Sequence, residues 1–117
     1  MVSPLAVDVD GTLTRPDGSI DPRVFNALRG WDAPIVIATG KSFPYPVGFC
    51  ELIGIPITVI AENGGAVYVE SAEEVVYNGD PDGAAAVKKA YLEAGHELGW
   101  GEVDPVNRWR ETELAVA

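Results

Sequence analysis

Leu5-Ala6-Val7-Asp8-Val9-Asp10-Gly11-Thr12-Leu13-Thr14 is the stretch whose reading decides the fold. Its apolar run, Leu5 to Val7, ends on two carboxylates and a glycine, the pattern of a buried strand that stops at a polar turn. In extended chain residues two apart share a face, so Asp8 and Asp10 can address one site. An acidic pair buried at a strand end is costly unless a cation compensates it. The two aspartates are therefore candidate ligands for a hard, oxygen-seeking metal. An Asx-turn at Asp10-Gly11 is the plainer account, and it explains Asp10 better than Asp8.

The same design recurs downstream. Pro34 to Ala38 is a second apolar run, broken by Thr39-Gly40-Lys41-Ser42, and Ile57 to Ala61 is a third, ending in Glu62-Asn63-Gly64-Gly65. Between the first two runs, Asp21 offers an N-cap and Pro22 an N1 residue for a helix carrying Val24, Phe25 and Leu28, with Gly30 at its end. A second helix is predicted from about Tyr45 to Ile53. Strands that each close on a polar loop and alternate with helices imply a parallel α/β sheet with its loops gathered at the carboxyl edge. Beyond it, Ala66–Glu70 and Glu74–Asn78 alternate as a hairpin. Asp80-Pro81-Asp82 opens a helix predicted to run to about Leu98. A loop at Trp100–Pro105 and a last strand over Val106–Ala117 complete the expectation.

Composition narrows the function. Eighteen acids face eight bases, a formal net charge of −10, and the lysines are Lys41, Lys88 and Lys89. Such a field repels nucleic acid and anionic membrane surfaces, so neither is an expected partner. An acidic, lysine-poor surface is either ordinary solvation or adaptation to concentrated salt, as in a halophilic archaeon, where ions screen self-repulsion. With Cys50 as the only cysteine, no intrachain disulfide can form, and a reducing cytoplasm is the default expectation. The chain start lacks a basic leader and a long apolar segment, and the apolar stretch around Ile53–Ala61 falls short of a membrane span. Cys50, His96 and the three tryptophans, Trp31, Trp100 and Trp109, are expected to be structural, the tryptophans as packing residues.

Asp8-Val9-Asp10-Gly11-Thr12-Leu13-Thr14 resembles the first motif of the haloacid dehalogenase superfamily phosphatases. Ala38-Thr39-Gly40-Lys41 resembles the second, and Glu62-Asn63-Gly64-Gly65 recurs in members with a cap inserted after the third strand. Asn107-Arg108-Trp109-Arg110-Glu111 resembles a cap strand of the archaeal phosphoglycolate phosphatases. The resemblance implies an incomplete Rossmann-like core over residues 1–79, hairpin 66–78 included, and the start of an α+β cap over 80–117. It implies Asp8 as the nucleophile that forms an aspartyl-phosphate and Asp10 as the general acid and base. Mg2+ would be bound by Asp8 and the Asp10 backbone carbonyl, and phosphate by Thr39 and Gly40. Lys41 either adds positive charge or is a solvated surface lysine. An arginine of the 107–111 segment can grip a substrate carboxylate.

The resemblance covers only the first half of the family's pattern. A lysine that neutralises the nucleophile, and an acidic pair after a later strand, cannot be placed in this chain. Two readings follow: a phosphatase of a small phosphorylated substrate, 2-phosphoglycolate first and sugar phosphates or a phosphomutase reaction second, or a fragment inactive alone. The open edge expected at the first strand makes association an expectation too, with another copy or a complementing C-terminal fragment.

Overall fold

Each of the three apolar runs becomes a strand of four residues: β1 (Leu5–Asp8), β2 (Ile35–Ala38) and β3 (Thr58–Ala61). They pair in parallel, β1 on β2 and β2 on β3, and the chain then turns back into an antiparallel hairpin, β4 (Ala66–Val69) and β5 (Glu74–Tyr77). The result is one mixed sheet in the order β1-β2-β3-β4-β5. The computed structural model describes residues 3–117; Met1 and Val2, where a basic leader was not expected, lie outside the described residues.

Helix α1 (Pro22–Arg29) begins where the sequence placed it. The Asp21 carboxylate accepts from the Arg23 N–H at 2.9 Å, satisfying one of the free amides of the first turn, and Pro22 occupies a position with no amide to lose. Helix α2 (Pro44–Ile53) ends on Gly54, which turns left-handed at φ 76° so that its N–H reaches the carbonyls of Cys50 and Glu51. Both helices contribute to a core of Val9, Leu28, Ile35, Ile37, Cys50, Ile53, Ile55, Ile57 and Val59. Burying each such aliphatic side chain contributes about 1.5–3 kcal/mol, so this cluster holds the parallel half together.

The later sequence behaves differently from expectation. Helix α3 spans Pro81–Glu93 and stops short of Leu98, because Gly95 takes φ 88° and donates its N–H to the Leu92 carbonyl at 3.0 Å. A left-handed glycine is a strong helix stop. None of α3's residues is buried. The strand expected over Val106–Ala117 does not form. Asp104 instead accepts from the backbone and side-chain nitrogens of Asn107 at 2.9 and 3.0 Å, and Asn107 exchanges hydrogen bonds with both backbone groups of Ala115. No strand runs beside this segment among the described residues, so a buried asparagine takes over the pairing that a neighbouring strand would supply.

Two further expectations are corrected. The tryptophans are not packed away: Trp31, Trp100 and Trp109 keep 47%, 37% and 53% of their surface exposed. Nor is the acidic pair buried, since Asp8 and Asp10 are exposed and it is Val9 between them, 1% exposed, that anchors the turn in the core. The reason is topological. β1 lies at the edge of the sheet, and its Ala6 and Asp8 are left open to solvent. Among the described residues no helix is long and apolar enough to cross a membrane.

Candidate active site

The ends of β1, β2 and β3 place three loops along one edge, as parallel pairing requires. After β1, the Val9 carbonyl accepts from the amides of Thr12, Leu13 and Thr14 at 2.9–3.3 Å, and Gly11, at φ 79°, donates its N–H to Thr14 Oγ1 at 2.9 Å. That turn leaves both Asp10 oxygens free of local amides. Asp10 Oδ1 instead accepts from Lys41 Nζ and from the Tyr45 hydroxyl, each at 3.2 Å. The Lys41 ammonium also lies 4.1 Å from the centre of the Tyr45 ring, a cation–π contact that fixes both side chains beside Asp10. Burial first, then the charge and hydrogen bond of Asp10 and the charge of Asp8, raise the Tyr45 hydroxyl above the ordinary tyrosine range. Tyr45 therefore stays a neutral donor to Asp10.

Thr39 sits on the last turn of this edge, 4% exposed. Its amide donates to the Ile60 carbonyl at 2.9 Å, its hydroxyl oxygen accepts from the Lys41 amide at 3.1 Å, and its carbonyl accepts from the Asn63 amide at 3.2 Å. Gly40 is needed for a reason the sequence did not disclose. A Cβ at Gly40 would stand 2.8 Å from Asn63 Oδ1, so the missing side chain makes room for Asn63. Gly65 likewise makes room for the Thr112 side chain, which a Cβ would overlap, and its φ is ordinary at −66°.

The loop after β3 is strained. Glu62 and Asn63 both adopt positive φ, 52° and 56°, a conformation that costs a non-glycine residue roughly 1–3 kcal/mol. The Glu62 amide reaches the Lys41 carbonyl at 2.9 Å, and Glu62, 2% exposed, turns inward. Its Oε1 accepts from the amides of Glu111 and Thr112 at 2.8 and 2.9 Å, which docks the late segment over the loops. Its Oε2, and Thr112 Oγ1, are buried without a hydrogen-bond partner among the described residues.

Asp8, Asp10, Thr39 and Gly40 thus share the carboxyl edge of the sheet. Lys41, in the loop after β2, and Tyr45, in the first turn of α2, close on Asp10. Arg110 and Glu113 also join the edge: Arg110 Nη1 donates to the Gly40 carbonyl at 2.8 Å and to Glu113, and Asn63 Nδ2 donates to Glu113 Oε2 at 3.1 Å. Arg108 points elsewhere, its Nε bonded to the Val103 carbonyl at 3.2 Å. Cys50 is buried in the core, its thiol pushed up to about 11 by burial and by the Glu70 charge, and His96 stacks on Tyr91 at 4.8 Å. Among the described residues no three histidine, cysteine or acidic side chains converge as a metal site. Asp8 and Asp10 offer two hard carboxylates, a donor set of the kind Mg2+ takes when substrate phosphate and water complete its shell.

Comparison with known proteins adds the following. Residues 5–94 match the family model described as haloacid dehalogenase-like hydrolase. The chain is 77% identical over 116 residues to a phosphoglycolate phosphatase of Natronomonas pharaonis, covering 99% of this chain and 51% of the relative. It is 56% identical over 114 residues to a phosphoglycolate phosphatase of Halobacterium salinarum, covering 97% of this chain and 50% of that protein. The chain spans about half the length of the curated relatives it matches. In fold it is similar to the crystal structure of Thermoplasma acidophilum 0175, with a TM-score of 0.75 at 24% identity over 96% of this chain and 49% of the other.

Proposed function

We propose, from the fact that this chain belongs to the haloacid dehalogenase-like hydrolases, that it carries the nucleophilic half of a phosphomonoester phosphatase acting on 2-phosphoglycolate. The observation that carries the reading is the exposed Asp8 and Asp10 pair beside the Thr39-Gly40 loop at the carboxyl edge of the sheet. The phosphoglycolate phosphatases named above supply the substrate.

Asp8, whose carboxylate has no hydrogen-bond partner among the described residues, attacks phosphorus and takes the phosphoryl group as an aspartyl-phosphate, expelling glycolate. Asp10 protonates the leaving oxygen and then takes a proton from the water that hydrolyses the intermediate. The Lys41 and Tyr45 donors share one Asp10 oxygen and leave the other for this work. Thr39 and Gly40 hold the phosphate. Mg2+ held by Asp8 and Asp10 would supply Lewis-acid polarisation of a phosphoryl oxygen. Residues 1–79 form the catalytic core and 80–117 the start of a cap, in a cytoplasmic enzyme.

A second reading has its own observation. With β1 at the sheet edge, Asp8 faces solvent, and no lysine is paired with it among the described residues. The parent protein is then the enzyme, and this chain alone is inactive until a complementing C-terminal segment covers β1. Hydrolysis of para-nitrophenyl phosphate with magnesium, by this chain alone and by the chain extended to the length of its relatives, separates the two. In whichever form is active, Asp8→Asn lowers the rate about a thousandfold or more. Activity that survives Asp8→Asn overturns the mechanism, and a preference for hexose phosphates over 2-phosphoglycolate overturns the substrate.

A further inference from the structure

We propose that Glu62 is a positioning residue, whose backbone and buried carboxylate tie the late segment to the Thr39–Lys41 loop, so that the loop takes its phosphate-holding shape only when that segment is docked. The proposal rests on the phosphatase reading, in which Thr39 and Gly40 hold the phosphate, and deepens it by naming what keeps that loop in shape.

Three successive carbonyls of the loop are each held by a donor from a later part of the chain. The Thr39 carbonyl accepts from the Asn63 amide at 3.2 Å, the Gly40 carbonyl from Arg110 Nη1 at 2.8 Å and the Lys41 carbonyl from the Glu62 amide at 2.9 Å. In a planar trans peptide the N–H points opposite to the C=O. The three ties therefore turn the amides of Gly40, Lys41 and Ser42 away from their anchors. The Lys41 amide goes to the Thr39 hydroxyl at 3.1 Å. Those of Gly40 and Ser42 meet no acceptor among the described residues, which leaves them for the oxygens of a phosphate.

Glu62 stands at the centre of all three ties. Its own amide makes one of them. It shares with Asn63 the positive-φ turn, 52° and 56°, that presents the second. The third depends on its side chain, because Oε1 accepts from the amides of Glu111 and Thr112 at 2.8 and 2.9 Å, the two residues that follow Arg110. Stability alone does not account for the arrangement. Glu62 is 2% exposed, both bonds fall on one carboxylate oxygen, and Oε2 is buried without a partner among the described residues. A half-satisfied buried carboxylate on a strained backbone persists where the surrounding structure over-determines it, and such sites cluster where function needs a fixed geometry.

Two measurements on this chain test the proposal. The first is amide hydrogen exchange read by NMR, which needs no ligand. Glu62→Ala is expected to speed exchange of the Asn63, Glu111 and Thr112 amides by roughly tenfold and to leave the Ile37 and Cys50 amides of the core unchanged. Thr112→Pro removes one of the two amides at Oε1 with Glu62 in place, and is expected to speed exchange at Glu62 and Asn63 as well. The second is binding of inorganic phosphate, by calorimetry in magnesium buffer. Glu62→Ala and Thr112→Pro are expected to weaken it about tenfold, whereas Glu62→Gln, which keeps an accepting oxygen for the two amides, stays within about threefold of wild type. If Asn63 exchange or phosphate affinity is the same in Glu62→Ala as in wild type, or if Glu62→Gln binds phosphate as weakly as Glu62→Ala, the positioning role is wrong while the phosphate site stands. Should Glu62→Ala fail to fold, Thr112→Pro decides, and unchanged exchange at Glu62 and Asn63 overturns the role. If wild-type protein binds no phosphate, the phosphatase reading fails for this chain, and the role of Glu62 falls with it.

Discussion

At the scale of single residues, the sheet edge is governed by who leaves room for whom. Gly40 reads in the sequence as a loop glycine that lets the backbone approach a phosphate, and the structure gives its missing side chain a second task, since Asn63 occupies that space. Gly40→Ala is expected to destabilise the fold by about 1–3 kcal/mol through overpacking. Denaturant unfolding of Gly40→Ala, Asn63→Ala and the double variant checks this. The double variant should recover much of the loss, because the clash needs both side chains; additive costs would show that Gly40 acts on the backbone alone. Asp10 illustrates a second residue-scale point. Its turn and its glycine were legible from Asp10-Gly11, whereas Lys41 and Tyr45 as its partners depend on where α2 begins, which no local spacing to Asp10 announces.

At the scale of elements, burial separates what is firmly held from what is loosely held. β2 and β3 alternate buried and half-buried positions, and α2 buries Pro46, Cys50 and Ile53. α3 buries none of its residues, and all four residues of β5 are exposed. Local opening requires little where few apolar contacts are lost. Amides of α3 are therefore expected to exchange with solvent deuterium orders of magnitude faster than those of β2, β3 and α2. Equal protection of α3 and α2 in a hydrogen-exchange experiment would contradict that division. The element boundaries tell the same story in sequence terms. α1 was readable from Asp21 and Pro22, because an N-cap is local. The end of α3 was signalled by Gly95 but obscured by Leu98, which continues the apolar spacing past the real stop.

At the scale of the whole molecule, the radius of gyration is 16.0 Å and the extents are 52 × 33 × 19 Å, against about 13 Å for a compact domain of this length. Among the described residues eleven large hydrophobics are exposed, Leu52, Val87 and Val103 by 90%, 59% and 66%, so the molecule carries apolar surface that a partner or a second copy can cover. Its charge adds a global term. With a net charge of −10, self-repulsion opposes compaction until salt screens it. The melting temperature is expected to rise by several degrees from dilute buffer to molar potassium chloride, followed by circular dichroism. A midpoint that does not move would remove salt adaptation as an account of the acidity.

The sequence by itself determined the three parallel strands, their polar endings, the N-cap of α1 and the acidic pair, because each depends on residues within a few positions of one another. It also carried the family, through the motif from Asp8 to Thr14 that the match over residues 5–94 contains. Only the tertiary structure decided that Asp8 and Asp10 are open to solvent, that Lys41 and Tyr45 meet Asp10, and that Arg110 and Glu113 meet Asn63 at the loop edge. Those outcomes depend on which strand lies at the edge of the sheet and on where a segment some fifty residues away comes to rest. Long-range packing fixes both, and no local propensity encodes it.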